Sequence, residues 1–438
     1  MQMPGTRTLK KPRKIFNSDQ TMPSHLLTNI KQLLNIRTEV HPLHGKEMQE
    51  LPVINNAWLL IEGNEIAGTG RMDTIKKELP HQPASQTDCS GRLVFPAWCD
   101  SHTHLVYAGS REAEFVDKIR GLSYAEINAR GGGILNTVEK INGISETELF
   151  NISWERLESV ARMGTGALEI KSGYGLSVEG ELKMLRVIRQ LKEKSPVSIK
   201  STFLGAHTFP LAYRNDHAGY IRLITDEMLP VIAREKLADY IDVFCEEGFF
   251  NPEETEIILQ AGMRYGLKSK LHVNQLNSIG GIETGIKMEA LSMDHLENLP
   301  DDEIIRIKNS GWEGFCTLLP TAAFYLRMSF PPARKLLESG LALALASDYN
   351  PGSSPSGNMN LVFTLACIQM KLIPEEALNA ATLNGAFAME LGNICGSVTK
   401  GKLANLIITK PVPSLAFLPY SFGSNLIDKV MLRGSFID

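Results

Sequence analysis

Two histidines one residue apart close an apolar run in Pro96-Ala-Trp-Cys-Asp-Ser-His102-Thr-His104-Leu105. On a β-strand, residues i and i+2 project from the same face, so His102 and His104 can aim two imidazoles at one point. Imidazole nitrogen ligates zinc or iron, but two donors do not make a centre. Further His, Cys or carboxylate groups must arrive from elsewhere in the chain. Alone, the pair also suits two polar residues leaving a buried strand.

The elements that would bring other donors to the same place lie between about 92 and 392. There, short runs rich in β-branched residues alternate with longer helical patterns, which implies βαβ units and a parallel sheet. Eight strand candidates occur: Leu93–Cys99, Ala167–Lys171, Ile199–Leu204, Ile241–Cys245, Ser269–Val273, Ala290–Met293, Gly314–Leu318 and Leu341–Ser347. Between them, Glu179–Lys194 places Leu182, Leu185, Val187, Ile188 and Leu191 on one helical face. Pro252, Pro300 and Pro374 each precede an acidic first turn, as helix N-termini favour. Eight strands each followed by a helix predict an α/β fold, a (β/α)8 TIM-like barrel. A doubly wound open sheet is the alternative.

Outside that region, Trp58-Leu-Leu-Ile-Glu-Gly-Asn-Glu-Ile-Ala-Gly reads as two strands about a Gly63-Asn64 turn, and Leu403–Thr409 and Leu426–Phe436 look alike. Both chain ends are therefore expected to share one small β-sandwich domain, residues 27–91 with 393–438, beside a barrel of residues 92–392. Residues 1–26, with the basic run Arg7 to Lys14, carry little to bury and are expected to be a disordered tail. A targeting or nucleic-acid arm is the other reading of that run, and Met22 is an alternative start.

In such a barrel the active site lies at the C-terminal ends of the strands. Strand one ends in Asp100-Ser-His102-Thr-His104, strand three in Gly205-Ala-His207, strand five in His272, strand six in Asp294-His295 and strand eight in Asp348. Five of the ten histidines fall on one rim, which favours a shared centre over five separately satisfied polar side chains. His102, His104, His272 and Asp348 offer an N3O set that suits Zn²⁺ or Fe²⁺ with room for a water. Such an ion lowers that water's pKa towards about 7, and Asp348 is placed to hold the proton and pass it to a leaving nitrogen.

Bulk composition agrees with small-molecule chemistry. The 438 residues are 43% hydrophobic and 21% charged, with net charge -4, so there is no global basic field to hold nucleic acid. Cys89, Cys99, Cys245, Cys316, Cys367 and Cys395 form no Cys-x-x-Cys pair, which argues against a disulfide framework and for a reducing cytoplasm. No apolar run approaches the roughly 18 residues that span a bilayer, and the N-terminus lacks a secretory core. A cytoplasmic protein without a membrane or nucleic-acid partner is expected.

The rim pattern resembles the amidohydrolase superfamily and, within it, the imidazolonepropionase family. The resemblance rests on Asp100-Ser-His-Thr-His-Leu-Val-Tyr-Ala-Gly-Ser-Arg111-Glu, Ala129-Arg-Gly-Gly-Gly-Ile134, Lys171-Ser-Gly-Tyr174-Gly-Leu, Phe203-Leu-Gly-Ala-His207 and Asp348-Tyr-Asn350-Pro-Gly352-Ser353-Ser-Pro. It covers residues 90 to 420. What it implies is a metal-dependent hydrolase of histidine degradation, in which metal-activated water opens the cyclic amide of 4-imidazolone-5-propanoate to give N-formimidoyl-L-glutamate. It implies one divalent metal on His102, His104, His272 and Asp348. Arg111, Tyr174 and His207 match positions that hold the substrate, Asn350, Gly352 and Ser353 match the product loop, and a homodimer is implied. A propionate suits the fork of Arg111, although Arg111 read without the family is a surface arginine paired with Glu112 or Glu114.

Two departures and three further readings accompany the resemblance. Related nucleobase deaminases carry a proton-shuttling glutamate three residues past the fifth-strand histidine. Here the segment is His272-Val-Asn-Gln275, whose amide hydrogen-bonds but cannot titrate. That leaves Asp348 as the base, with His295 and His207 expected to polarise the carbonyl and Gln275 to touch the substrate. Val273 stands where the family usually has alanine, a packing difference. Lys171 is a lysine of the kind that, carboxylated, bridges two metals in binuclear relatives, but Lys-Ser-Gly-Tyr belongs to the mononuclear pattern. Gly131 to Gly133 suit either a flexible turn or close backbone approach to a ligand, and His41 and His44 are expected on the surface.

Overall fold

The computed structural model describes residues 24–79, 81–122 and 132–437. The basic tail therefore falls almost wholly outside the described residues, as do Arg130 and Gly131 of the glycine run. The N-terminal part contributes β1 (His25–Leu34), β2 (Val53–Glu62), β3 (Glu65–Arg71), β4 (Ser85–Asp88) and β5 (Leu93–Pro96). Eight strands follow: β6 (Trp98–Asp100), β7 (Thr165–Lys171), β8 (Ser198–Ala206), β9 (Tyr240–Cys245), β10 (Lys268–Val273), β11 (Ser292–His295), β12 (Phe315–Leu318) and β13 (Ala342–Leu345). The chain closes with β14 (Leu406–Thr409), β15 (Ile427–Leu432) and β16 (Ser435–Ile437).

Both chain ends join in one sheet, ordered β16-β15-β14-β5-β1-β2-β3, with β4 also on β1. The β2–β3 hairpin turns at Gly63, whose φ of +60° suits a residue without Cβ. Asn29, at φ +52°, bulges β1, so its first half carries β4 and its second half β5. That bend folds the sheet around its own core of Leu27, Ile30, Leu59, Val94, Leu406 and Met431, all buried.

Strands β6 to β13 run parallel in sequence order, the (β/α)8 arrangement and not the open sheet. Helices cover it as their sequences dictate. Asn251 caps Pro252–Arg264 by accepting from Glu254 N at 2.8 Å, while Glu254 reaches back to Asn251 N at 3.0 Å. Val178–Lys194 buries Leu182, Leu185, Val187, Ile188 and Leu191 as its period predicts. Among the described residues no helix is long and apolar enough to cross a membrane.

Two strand readings need correction. Leu93–Cys99 is not one strand: Leu93–Pro96 lies antiparallel to β14, and only Trp98–Asp100 enters the barrel. Pro96 has no N–H to continue a ladder. Next, Ala97 N donates to Asn405 O and Trp98 N to Gly164 O, both at 2.9 Å, so the chain changes sheets in two residues. The sixth strand is Ser292–His295 rather than Ala290–Met293, which puts His295 inside the strand instead of beyond it.

The barrel closes where the chemistry was expected. Asp348 N donates to His102 O and His104 N to Tyr349 O, each at 3.0 Å, and Thr103 bridges Tyr349 in parallel. Just below, the Asp100 carboxylate accepts from Ser347 N at 2.9 Å and Ser347 Oγ at 2.5 Å. The first and eighth strands are thus fastened by the backbone of the residues whose side chains face the mouth.

Candidate active site

Thr103 fixes the direction of its neighbours. Its hydroxyl donates to Glu169 O at 2.6 Å and its carbonyl accepts from Lys171 N at 2.8 Å, so it faces β7 while His102 and His104 turn into the barrel. His102 Nε2 and His104 Nε2 each lie 3.5 Å from Asp348 Oδ1, and His272 Nε2 lies 3.4 Å from His104 Nε2. The four expected ligands therefore converge. His295 joins them, with a nitrogen within 4.8 Å of donor atoms of His102 and Asp348.

Carboxylates behind the ring set the imidazoles. His102 Nδ1 donates to Asp294 Oδ2 at 2.6 Å and His272 Nδ1 to Asp242 Oδ1 at 3.1 Å, which fixes the tautomers whose Nε2 lone pairs face the centre. Burial, with further lowering by Lys171 and by the other imidazoles, holds both His102 and His104 well below the usual histidine range. Both imidazoles are neutral, as metal coordination requires. His102 Nε2 is buried and has no hydrogen-bond partner, an orphaned lone pair among other donors. Three imidazoles and a carboxylate fit a divalent cation.

Two rim residues adopt left-handed backbone: His295 at φ +86° and Asp348 at φ +52°. Such conformations persist only where surroundings over-determine them, as at functional sites. For Asp348 the surroundings are the loop that follows. Ser353 Oγ donates to Asp348 Oδ2 at 2.9 Å and itself accepts from Asn350 Nδ2 at 2.6 Å, leaving Oδ1 to the imidazoles. Asn350 Oδ1 accepts from Gly352 N and Ser353 N, both at 2.8 Å, so its amide is committed to shaping this loop. Burial holds the Asp348 carboxyl above its ordinary value, and the adjacent His295 and His272 offset only part of that rise.

The other two histidines differ in state. His295 is buried, which disfavours its charge, but the carboxylates of Glu297, Asp348 and Asp294 outweigh that and raise it to about 9. His207 is buried beside His272 and falls to about 3. Its Nδ1–H donates to Gly173 O at 3.0 Å, leaving Nε2 as an acceptor, and its ring stacks on His104 at 5.2 Å.

Above the centre opens a cavity of about 530 Å³ lined by every expected site residue except His102, which lies beneath it. Gly133 and Ile134 also line it, so the described end of the glycine run does approach the ligand space. Arg111 Nε donates to Thr137 Oγ1 at 2.9 Å, not to Glu112 or Glu114, and its guanidinium carbon sits 5.8 Å from the Tyr174 ring centre. Among the described residues, buried Arg111 Nη2 has no partner in this wall. Gly352 packs so close beneath this guanidinium that a Cβ there would strike Nη1. Gly352→Ala is therefore expected to displace a flexible side-chain end, keeping stability within about 1 kcal/mol while raising KM about tenfold. Steady-state kinetics beside thermal unfolding checks the split.

Sequence reasoning missed Asp242, Thr137 and Glu297 as partners of His272, Arg111 and His295. Asp242 did carry a signal, as the one charge inside the apolar strand Tyr-Ile-Asp-Val-Phe-Cys. Lys171 is committed to Glu169 Oε1 at 2.5 Å and Asp242 Oδ2 at 2.7 Å. His41 is exposed beside Glu47 and His44 caps the short helix Gly45–Gln49, both away from the barrel mouth.

Comparison with known proteins agrees with this geometry. Residues 246–437 match the model of the amidohydrolase family. An imidazolonepropionase of Flavobacterium johnsoniae is 57% identical over 414 residues, 94% of this chain and 99% of the relative. One from a Geobacillus species is 39% identical over 411 residues, 93% and 96% of the two chains. Among solved structures, an Escherichia coli guanine deaminase superposes with a TM-score of 0.71 at 14% identity, covering 95% of this chain and 99% of that one. A zinc-bound adenosine deaminase of Xanthomonas campestris gives 0.69 at 16% identity, over 94% and 92%. Those two likenesses speak to the fold. With near-complete coverage by relatives of high identity, and a buried His/Asp centre suited to a divalent metal, the chain belongs to the imidazolonepropionase family of metal-dependent amidohydrolases.

Proposed function

We infer that the protein hydrolyses 4-imidazolone-5-propanoate to N-formimidoyl-L-glutamate in histidine degradation. The observation that carries this reading is the pairing of the His102, His104, His272 and Asp348 centre with a guanidinium edge of Arg111 that has no partner among the described residues, across one cavity. The ion is Zn²⁺ or Fe²⁺, which an N3O set suits, and when bound it supplies Lewis acidity that makes water nucleophilic at neutral pH.

The chain's own groups do the rest. Arg111 and Tyr174 hold the propionate end, and Gln275 contacts the ring without titrating. His295, protonated at neutral pH, donates to the carbonyl oxygen as it gains charge. His207 has its donor tied to Gly173, so its Nε2 accepts a ring N–H, and the carbonyl-polarising role falls to His295. Asp348 takes the proton of the attacking water on Oδ1 and returns it to the departing ring nitrogen. Asn350, Gly352 and Ser353 shape the wall where the product leaves.

In this reading the catalytic barrel runs from Trp98 to about residue 392, and residues 25–96 with 393–437 form a composite β domain. The protein works as a homodimer in the cytoplasm, a compartment that suits its six free cysteines. Dialysis against a chelator is expected to abolish loss of substrate absorbance. One equivalent of Zn²⁺ or Fe²⁺ per chain restores it, and full turnover by demonstrably metal-free protein would refute the reading.

A further inference from the structure

The layer beneath the metal ligands is unusual for a barrel. TIM-type interiors are filled mainly by branched apolar side chains. Here Glu169, Lys171, Asp242, Lys270 and Asp294 occupy that place, none more than 1% exposed. Burying ions costs more than their attraction returns unless hydrogen bonds complete the arrangement. Hydrogen bonds do complete most of it. Lys171 Nζ contacts Glu169 Oε1 at 2.5 Å, Asp242 Oδ2 at 2.7 Å and Asp294 Oδ2 at 3.6 Å. Glu169 also accepts from Thr202 Oγ1 at 2.6 Å and pairs with Lys270.

Asp242 and Asp294 are the carboxylates that orient His272 and His102. Lys171 reaches both of them, whereas Lys270 reaches neither: its ammonium goes to Glu169, to Ser101 O at 3.2 Å and to Ala388 O at 3.4 Å. Three carboxylates and two ammoniums leave the layer with one negative charge. Without Lys171, Asp242 and Asp294 would lose the shared cation that holds both carboxylates aimed at the Nδ1–H groups.

We propose that Lys171 is a positioning residue for the metal centre, one ammonium that orients two ligand imidazoles at once by holding the carboxylates behind both. Burial opposes its charge, but Asp242, Glu169 and Asp294 together hold it protonated well above the ordinary lysine range. The proposal rests on reading His102 and His272 as metal ligands.

Outer partners of metal-bound histidines typically govern affinity about tenfold to a hundredfold. Zn²⁺ titration against a chromophoric chelator is therefore expected to give a Kd about 30-fold weaker for Lys171→Met. Lys270→Met, which removes an equally buried charge from the same layer, stays within about threefold of native. The visible spectrum of the Co²⁺-loaded protein should change for Lys171→Met and not for Lys270→Met. Equal weakening by the two variants, or native affinity in Lys171→Met, would overturn the proposal. Where Lys171→Met does not fold, the native protein decides: the Lys171 ¹⁵Nζ signal, assigned through its side chain, should move on Zn²⁺ addition more than that of Lys270, and an unmoved signal is refutation. Native protein that binds no Zn²⁺ would instead sink the ligand reading itself.

Discussion

Asp348→Asn is expected to lower kcat by about 10³- to 10⁴-fold, because one substitution removes both the proposed anionic ligand and the proposed proton carrier. Size is unchanged, so the barrel closure through Asp348 N and His102 O survives. The side chain is affected in two ways. An amide cannot take a proton from water, and with one oxygen in place of two it cannot serve Ser353 and a metal together. Ser353 Oγ accepts from Asn350 and must donate onward to Oδ2. The asparagine must therefore present its carbonyl oxygen to Ser353 and turn its NH₂ toward the imidazole Nε2 atoms. Kinetics should be read with metal content measured on the same sample. A variant that keeps full metal and more than about a tenth of native kcat would take the proton role away from Asp348. Ser353→Ala, which only frees Oδ2, should cost about tenfold at most.

The four proposed ligands were legible as neighbours for a reason that concerns barrel geometry. In parallel strands, inward residues recur every second position and the functional end is always the C-terminal one, so His102, His104, His272 and Asp348 were readable as strand-end residues of one rim. The same logic failed where a run served two sheets. Nothing in Leu93–Cys99 but Pro96 announces that the chain leaves the terminal sheet, because both sheets bury the same apolar residue types. The charged layer was harder still. Glu169, Lys171 and Lys270 each lie in a strand, and their partners come from β7, β9, β10 and β11. Such pairing depends on strand order and register, which single residues do not encode. Arg111 was assigned by family resemblance, whereas its hydrogen bond to Thr137, 26 residues on, is a tertiary fact.

Arg111→Lys is expected to reduce kcat/KM by about 10²- to 10³-fold, with most of the change in KM. The guanidinium is held at one edge, Nε to Thr137, and unpartnered at another, Nη2, so what it offers the cavity is a fixed fork. A carboxylate that meets such a fork makes two parallel charge-assisted hydrogen bonds, and loss of a charged partner in a buried site costs about 2–4 kcal/mol. Lysine restores the charge but not the fork, and its shorter reach from residue 111 gives up the Thr137 anchor. A substrate analogue lacking the propionate separates this from general damage. On the analogue, native protein should lose nearly what Arg111→Lys loses on the true substrate, and the variant should lose little more. Thr137→Val, which frees Nε and leaves the guanidinium in place, should raise KM about tenfold. If Arg111→Lys instead lowers kcat with KM unchanged, Arg111 acts on the reacting atoms and the carboxylate is held by another group in the cavity.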